Sequence, residues 1–330
     1  MNTVSANSFG AEAAEPGLND IESAAARIKT IAMRTPLEQS RWLSNADQQV
    51  FLKLECFQPT GSFKLRGAAA KLTALSVDEK QRGILTVSAG NHGLAVAHCS
   101  SLLSLDATIV VPRTASRAKV ESIRRYPVKL LEKGETYDDA ERDARRMQAE
   151  SEMTFVSPYN DREVIAGQGT VALEILDELA GCDSIVAPVG GGGLIAGIAI
   201  AAKARNPRIK IYGVEPETSP TMTRALEAGR ILQIEEAPTI ADGLAGNIET
   251  DSITFPIVQR LVDGMIIVSE RALKESLLRV ALEDHIMIEG SAAASIAALG
   301  DSRLRTGIIA AVVTGRNISL DLFSELITNR

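Results

Sequence analysis

Cysteine, histidine and aromatic residues are scarce in this chain of 330 residues, which has 3 cysteines, 3 histidines and 4% aromatic residues. Cys56, Cys99 and Cys182 are odd in number and far apart, and the sequence has no C-x-x-C pair and no two histidines at metal-ligand spacing. This usage argues against a disulfide framework and against structural zinc, and it favours a reducing compartment. We therefore predict no bound metal, an aliphatic core and a cytoplasmic location.

An excess of positive charge and long apolar runs are also missing. The formal net charge is -7 and the pI is about 5.3, whereas nucleic acids and anionic membranes bind clustered lysine and arginine. The longest apolar run, residues 194–202, is far shorter than the ~20 residues that span a bilayer. Residues 1–20 lack the basic start and apolar segment of a signal peptide, and we interpret them as a flexible tail. These absences predict a small-molecule ligand rather than nucleic acid or a membrane.

From about residue 50 onward, short apolar runs alternate with longer amphipathic ones, a pattern typical of βα units on a mostly parallel sheet. The length allows about two lobes at roughly 150 residues each. Nine candidate strands are more than one sheet needs, and the turn at residues 158–161 suggests that the chain leaves one lobe and re-enters another. We predict an α/β fold with a small domain, residues 80–157, inserted into a large domain made of residues 21–79 and 158–330.

The candidate elements follow the apolar periodicity. The candidate strands are residues 50–54, 83–87, 107–111, 128–131, 154–156, 184–189, 210–214, 264–268 and 307–313. The clearest candidate helices are residues 21–30, 63–74, 92–100, 119–125, 137–150, 163–179, 194–204, 270–283 and 291–298.

Four consecutive glycines follow a candidate strand and open a helix near Leu194; they are Gly190, Gly191, Gly192 and Gly193. Glycines let the backbone approach a ligand closely, and a helix N-terminus attracts an anion, so this segment predicts a phosphate site. The same glycines, with Glu215 after the next strand, also satisfy a dinucleotide fingerprint. An NAD-binding oxidoreductase is therefore an open alternative at this point.

Lys64 stands at the mouth of a candidate helix, between Phe63 and Leu65. A cation is disfavoured in the first turn of a helix, and apolar neighbours favour the neutral amine, which is the form that attacks an aldehyde. An amine of this kind, together with a phosphate site, is what a protein needs to bind pyridoxal 5'-phosphate and react it with an amino acid. Lys64 thus favours that cofactor over NAD.

Two further polar segments end candidate strands. Ser88, Asn91 and His92 lie on a turn that leads into a helix, where Asn91 is either a helix N-cap or part of a receptor for a carboxylate. Thr314 ends the last apolar strand; its hydroxyl either bonds local backbone or, in a pyridoxal site, meets the ring nitrogen. Both alternatives stay open for each segment.

Taken together, these segments resemble the serine/threonine dehydratase family, which are pyridoxal-phosphate enzymes of fold type II and include threonine ammonia-lyases and serine racemases. The resemblance implies an α/β fold like that of the tryptophan synthase β chain, with two open parallel-sheet domains and the site between them, and a homo-oligomer, expected to be a dimer. The motifs that carry it are Ser62-Phe63-Lys64-Leu65-Arg66-Gly67-Ala68, Ser88-Ala89-Gly90-Asn91-His92, Gly190 to Gly193, Gly213-Val214-Glu215-Pro216, Asp242-Gly243-Leu244-Ala245 and Thr314-Gly315-Arg316-Asn317.

The resemblance also implies residue roles. Lys64 and Ser88 are the catalytic residues, and Lys64 binds the cofactor covalently and moves the α-proton. Asn91 bonds the cofactor's 3'-oxygen, Gly190 to Gly193 with Leu194 hold its phosphate, and Thr314 meets its ring nitrogen. Ser88, Asn91 and His92 bind the substrate carboxylate.

The implied reaction removes water from a β-hydroxy-α-amino acid of the threonine or serine type and yields a 2-oxo acid and ammonia. Leu94 and Arg316 depart from the residues common in the family. A specialised substrate is therefore an alternative, such as 3-hydroxyaspartate, phenylserine or an intermediate of hydroxyectoine breakdown. Thr221 replaces an acid of the metal site in some relatives, so we do not predict that metal. A non-catalytic amino-acid sensor is a further alternative.

Overall fold

The computed structural model describes residues 15–328, which contain ten strands and thirteen α-helices. The strands are β1 (Leu37–Gln39), β2 (Gln48–Lys53), β3 (Ile84–Val87), β4 (Ala107–Val111), β5 (Lys129–Glu132), β6 (Thr154–Phe155), β7 (Ser184–Pro188), β8 (Lys210–Pro216), β9 (Gly264–Val268) and β10 (Gly307–Val312). The helices are α1 (Leu18–Ile28), α2 (Lys64–Ala74), α3 (Val77–Arg82), α4 (Asn91–Leu102), α5 (Arg117–Arg124), α6 (Tyr137–Ser151), α7 (Arg162–Glu178), α8 (Gly193–Arg205), α9 (Thr221–Ala228), α10 (Thr254–Leu261), α11 (Glu270–Glu283), α12 (Gly290–Ala297) and α13 (Leu320–Thr328).

The strands form two sheets. The six-stranded sheet has the order β1-β2-β10-β7-β8-β9, and only β1 is antiparallel to its neighbour. The four-stranded sheet has the order β5-β4-β3-β6 and is parallel throughout. The predicted α/β fold with two parallel-sheet layers is thus confirmed, and each of the nine candidate strands corresponds to an observed strand.

The four-stranded sheet takes all its strands from residues 84–155, within the range assigned to the inserted domain. The domain boundaries themselves stay a prediction. The predicted flexible tail was residues 1–20, of which residues 1–14 lie outside the described residues. Helix α1 begins at Leu18, so the last three residues of the predicted tail are helical.

The central helices approach one another closely because glycines line their contacts. A Cβ atom on Gly197 of α8 would lie 2.3 Å from the carbonyl oxygen of Ile165 in α7, and one on Gly167 of α7 would lie 2.5 Å from the carbonyl oxygen of Arg66 in α2. A side chain at either position would force the helices apart. Close packing on α7 therefore fixes the position of α2, the helix that begins with Lys64.

No helix in residues 15–328 has both the length and the apolar content needed to cross a membrane.

Candidate active site

A cavity of about 980 Å³ lies at the carboxyl ends of parallel strands from both sheets. Ligands of open α/β sheets bind at this edge, because the loops that follow the strands converge there. All the predicted site residues line this one cavity: Lys64, Ser88, Asn91, His92, Gly190, Gly191, Gly192, Gly193, Leu194 and Thr314. Segments that are distant in the chain are thus brought together by the strand order.

Lys64 is the first residue of α2 and is partly buried at the cavity wall. Its Nζ atom donates a hydrogen bond to the carbonyl oxygen of Pro158 at 2.9 Å and lies 5.2 Å from the centre of the Phe63 ring. Burial lowers the pKa of Lys64 from 10.5 to about 8, although the Glu289 carboxylate acts in the opposite direction. A substantial share of the amine is therefore neutral near pH 8, as its apolar neighbours in the sequence predict.

A buried network of ion pairs around Arg66 anchors the first turn of α2. The Arg66 guanidinium donates to both carboxylate oxygens of Glu55, at 2.7 and 2.8 Å, and to Glu174 at 2.7 and 2.8 Å. Lys53 also pairs with Glu174, at 2.6 Å. Because buried charges are tolerated only when they are paired, this network fixes the rotation of α2 and hence the direction of Lys64.

The glycine run connects β7 to α8. Gly192 has φ +88°, a left-handed conformation that favours glycine, and a Cβ atom on Gly191 would lie 2.3 Å from the Tyr159 ring. Tyr159 is held in turn by the backbone N–H of Glu249, which donates to its hydroxyl oxygen at 2.9 Å. Since α8 begins at Gly193, the N–H groups of its first turn have no intrahelical acceptor and attract an anion.

The structure excludes the role of helix cap for Asn91. Gly90 is the N-cap of α4, with no side-chain capping bond, and Asn91 is the first helical residue. The amide of Asn91 instead donates to Glu289 Oε1 at 2.7 Å. Ser88 Oγ accepts from the N–H of Gly90 at 3.1 Å, which fixes the turn before the helix.

His92 is the second residue of α4 and is buried. Its Nε2 atom lies 3.1 Å from the carbonyl oxygen of Val156, and Nδ1 has no hydrogen-bond partner in the described residues. Burial lowers the pKa of His92 to about 3, and the nearby Lys64 contributes to this lowering. The imidazole is therefore neutral near pH 7 and contributes a hydrogen-bonding group rather than a charge.

Thr314 follows β10 and is 2% exposed. Its hydroxyl oxygen has no partner among residues 15–328, and the same holds for the fully buried hydroxyl of Ser62. Ser62 pairs with Gly315 in an isolated antiparallel bridge, so the two hydroxyl-bearing segments run side by side. Buried hydroxyls are usually hydrogen-bonded, so the unpartnered hydroxyl of Thr314, which lines the cavity, is available to a ligand and argues against the simple backbone-bonding alternative for this residue.

Sequence reasoning missed Glu289, and it assigned no role to Asn317 although this residue belongs to the motif at residues 314–317. Both line the cavity, and Glu289 is 7% exposed. Burial raises the pKa of Glu289 to about 7, and Asp242 also raises it, whereas the hydrogen bonds from Asn91 and from the backbone of Asn317 lower it. An acidic residue before a helix, such as Glu289 before α12, is commonplace, so the sequence carried no signal for this role.

Glu215 serves a structural purpose. Its buried carboxylate accepts from the backbone N–H groups of Met222 and Thr223, at 2.7 and 2.8 Å, and from the Thr223 hydroxyl at 2.6 Å. It therefore caps the N-terminus of α9, and the proposed match to a ribose-binding acid is better explained by this cap. Within the described part of the chain, no three His, Cys, Asp or Glu side chains form a group that could hold a metal ion.

The two departures that suggest a specialised substrate, Leu94 and Arg316, have their contacts outside the described cavity lining. Leu94 packs against the apolar cluster that includes Ile109 and Ile123, and the exposed Arg316 guanidinium lies 5.5 Å from the Phe57 ring centre. Neither residue is among those that line the cavity in residues 15–328, whereas Ala89 is.

The fold and the cavity define an α/β protein with a lysine amine of lowered pKa in the same cavity as a helix N-terminus, and comparison with known proteins identifies its family. The sequence profile of the family described as "Pyridoxal-phosphate dependent enzyme" matches residues 28–315. This chain belongs to that family, which decides between the two cofactors that the glycine run left open.

Individual proteins similar to this chain support the same family assignment. The chain is 38% identical to L-threonine ammonia-lyase of Thermotoga maritima, covering 94% of this chain and 78% of that protein. Among solved structures, maize serine racemase superposes with a TM-score of 0.90 at 33% identity, covering 96% of this chain and 98% of that one. Isoform 2 of threonine deaminase from Solanum lycopersicum, in its processed form, superposes with a TM-score of 0.88 at 30% identity, covering 99% and 93%. The predicted type II fold is thus confirmed.

The residues present fit pyridoxal 5'-phosphate. The cofactor has an aldehyde, a phosphate dianion and a ring nitrogen, and the cavity offers an amine of lowered pKa at Lys64, a helix N-terminus at Gly193 and an unpartnered buried hydroxyl at Thr314. The amine can react with the aldehyde, the helix N-terminus can bind the phosphate, and the hydroxyl can hydrogen-bond to the ring nitrogen.

Proposed function

We propose that this chain is a pyridoxal-phosphate-dependent dehydratase, a carbon–oxygen lyase that removes water from a β-hydroxy-α-amino acid of the threonine or serine type and releases a 2-oxo acid and ammonia. The observation that carries the proposal is the partly buried amine of Lys64, with a pKa of about 8, in one cavity with the glycine run and Thr314. The relative named L-threonine ammonia-lyase supports the same reaction. So does a second relative, the catabolic L-threonine dehydratase TdcB of Staphylococcus aureus, which is 39% identical over 94% of this chain and 91% of that protein.

The cofactor, when bound, acts as an electron sink for the bonds of the substrate α-carbon. In our proposal Lys64 would hold the cofactor through Nζ, and the same atom would take the proton from the α-carbon of the bound substrate. Its lowered pKa suits that task, because a general base works best when its pKa lies near the operating pH. Gly190 to Gly193 and Leu194 bind the phosphate, with the dipole of α8 directed toward it.

In this proposal a side-chain N–H of Asn91 binds the cofactor's 3'-oxygen, and Ser88, His92 and the backbone N–H of Asn91, in the first turn of α4, bind the substrate carboxylate. Because His92 is neutral near pH 7, the positive end of α4 supplies the electrostatic attraction. The Thr314 hydroxyl faces the ring nitrogen. A neutral hydroxyl at this position would leave the ring nitrogen largely unprotonated, which would favour rapid loss of the β-hydroxyl group.

The structure gives no reason to prefer a specialised substrate over threonine or serine. Leu94 and Arg316, the departures that suggested one, contact an apolar cluster and Phe57 instead of the described cavity. A non-catalytic sensor is disfavoured because Lys64 is retained at the cavity wall with a lowered pKa.

The direct experiment is to purify the protein with its cofactor and screen β-hydroxy amino acids for release of 2-oxo acid. Threonine or serine should be the best substrate, and borohydride should discharge the cofactor absorbance. Lys64→Ala should abolish turnover, whereas the matched control Lys80→Ala, at an exposed lysine, should not. Near-normal turnover by a folded Lys64→Ala variant would contradict the proposal.

We also propose that the protein acts in amino-acid catabolism in the cytoplasm, as a homodimer. The three cysteines of the described chain are free and buried, which suits a reducing compartment, and one relative is named a catabolic enzyme. Light scattering coupled to size-exclusion chromatography tests the dimer, and a monomeric mass at micromolar concentration would exclude it.

A further inference from the structure

The side chain of Asn91 is enclosed by a hydrogen-bond network that involves Glu289 and Asn317. Asn91 Nδ2 donates to Glu289 Oε1 at 2.7 Å, and Asn91 Oδ1 accepts from Asn317 Nδ2 at 2.7 Å. The backbone N–H of Asn317 donates to the other carboxylate oxygen of Glu289 at 3.1 Å. The three residues therefore form a closed ring of contacts at the cavity wall.

This network permits only one orientation of the Asn91 amide. Asn317 Nδ2 also donates to the carbonyl oxygen of Thr60 at 2.9 Å, so the group that Asn317 presents to Asn91 is a donor. The Asn317 donor therefore requires the Asn91 oxygen on its side in either protonation state of Glu289, and the Asn91 amino group faces the Glu289 carboxyl, which only accepts when ionised. If the Asn91 amide were reversed, its amino group would meet the amino group of Asn317 and its oxygen would meet the carboxylate of Glu289.

The amino group of Asn91 has two N–H bonds, and among the described residues only one of them is used, by Glu289. We propose that Glu289 and Asn317 are positioning residues that fix the orientation of the Asn91 amide, so that its second N–H is held ready to donate to the cofactor. This inference rests on the proposed role of Asn91 as a cofactor ligand. It assigns to Glu289 and Asn317 no contact with the cofactor itself.

Two glycines leave the space that the hydrogen-bonded ring of Asn91, Glu289 and Asn317 occupies. A Cβ atom on Gly315 would lie 2.4 Å from Glu289 Oε1, and one on Gly61, which has φ +75°, would lie 2.6 Å from Asn317 Oδ1. Any side chain at either position would displace a member of the network. The charged groups that act on Glu289 are Asp242, Lys119 and Lys64.

The test uses two single variants and their combination. Asn317→Asp presents an acceptor to the Asn91 oxygen, and Glu289→Gln can present a donor to the Asn91 amino group. Each single change should weaken the affinity of the full-length apo-protein for pyridoxal 5'-phosphate by about 5- to 30-fold, the effect of losing one well-oriented hydrogen bond. Affinity is measured by equilibrium titration of the cofactor absorbance, and folding by circular dichroism.

The double variant separates positioning from structural support. In it, the new carboxylate at position 317 accepts from the Asn91 amino group and the new amide at position 289 donates to the Asn91 oxygen, so the contacts of Asn91 are complementary around a reversed amide. The Thr60 carbonyl oxygen loses its donor in the double variant and in Asn317→Asp alike, so this loss cancels in the comparison. Thermal stability should recover relative to Asn317→Asp alone, whereas cofactor affinity should stay about 5- to 30-fold below that of the wild type. Recovery of affinity together with stability would overturn the proposal.

Three controls keep the outcomes distinct. Asn206→Asp, at a turn whose side-chain oxygen accepts from the backbone of Arg208, should leave affinity unchanged. Asn91→Ala should weaken affinity; wild-type affinity in this variant would refute the role of Asn91 in the proposed function, whereas wild-type affinity in the positioning variants alone would refute only the present inference. Should Asn317→Asp fail to fold, Asn317→Ala removes the donor without adding charge and should still weaken binding about fivefold.

Discussion

The lowered pKa of Lys64 predicts how fast the apo-protein captures its cofactor at each pH. Only the neutral amine attacks an aldehyde, so the rate constant should rise with pH as Nζ loses its proton and level off above the pKa. With a pKa of about 8 instead of 10.5, the neutral fraction at pH 7 is roughly one in ten instead of about one in 3,000. Burial of Lys64 therefore raises the neutral fraction at pH 7 by about 300-fold, which favours capture at that pH.

The assay mixes apo-protein with pyridoxal 5'-phosphate in a stopped-flow instrument and follows the cofactor absorbance. The pH is varied from about 6 to about 10, which extends roughly two pH units on either side of the expected pKa of Lys64. The midpoint should lie near pH 8, above the second ionisation of the cofactor phosphate near pH 6. In Glu289→Gln the midpoint should move lower, because the Glu289 charge raises the pKa of Lys64. A wild-type rate that still climbs tenfold per pH unit above about pH 9 would show that Lys64 titrates normally and refute the reasoning.

The remaining predictions concern the other walls of the cavity. Gly191→Asp should reduce cofactor retention after dialysis by at least tenfold, because its side chain would displace Tyr159 and its charge would repel a phosphate; a full cofactor content would show that the phosphate is held elsewhere. Thr314→Asp should favour protonation of the ring nitrogen and lower turnover while a long-wavelength absorbance accumulates with substrate, and an unchanged spectrum would show that Thr314 does not reach the ring. Ala89→Ser should raise racemisation relative to dehydration, since Ala89 lines the cavity without an exchangeable proton and acid–base assistance typically contributes about 10²–10⁴-fold. Product 2-oxo acid and the opposite enantiomer are measured together, and an unchanged ratio would contradict this role.

Apolar periodicity was enough to predict the parallel strands, because most of these strands are buried on both faces and form continuous apolar runs. β4, for example, is buried at every position and was predicted with its observed bounds, Ala107–Val111. β1 was missed because Leu37–Gln39 is a largely exposed edge strand of three residues whose pairing with β2 is antiparallel. An edge strand of this length carries too little apolar pattern to be distinguished from a loop.

Contacts between distant segments explain what the sequence did not reveal at the site. α9 has no side-chain cap of its own, and the carboxylate that binds its first N–H groups comes from Glu215 at the end of β8. Glu289 likewise meets Asn91 only because the strand order brings α12 and α4 to the same cavity. Motif spacing predicted which residues gather in the cavity, whereas the partner of each side chain depends on tertiary packing.

Lys64 and Arg66 show how one helical turn gives two cations opposite properties. Burial by itself would lower the pKa of both side chains. Arg66 faces Glu55 and Glu174 at hydrogen-bonding distance, and these carboxylates raise its pKa above the ordinary value. The Lys64 Nζ faces a neutral carbonyl, so burial prevails and its pKa falls. The arginine can therefore anchor the helix as a permanent charge while the lysine two residues earlier loses its proton near pH 8, and pairs of titratable groups driven apart in this way are typical of catalytic sites.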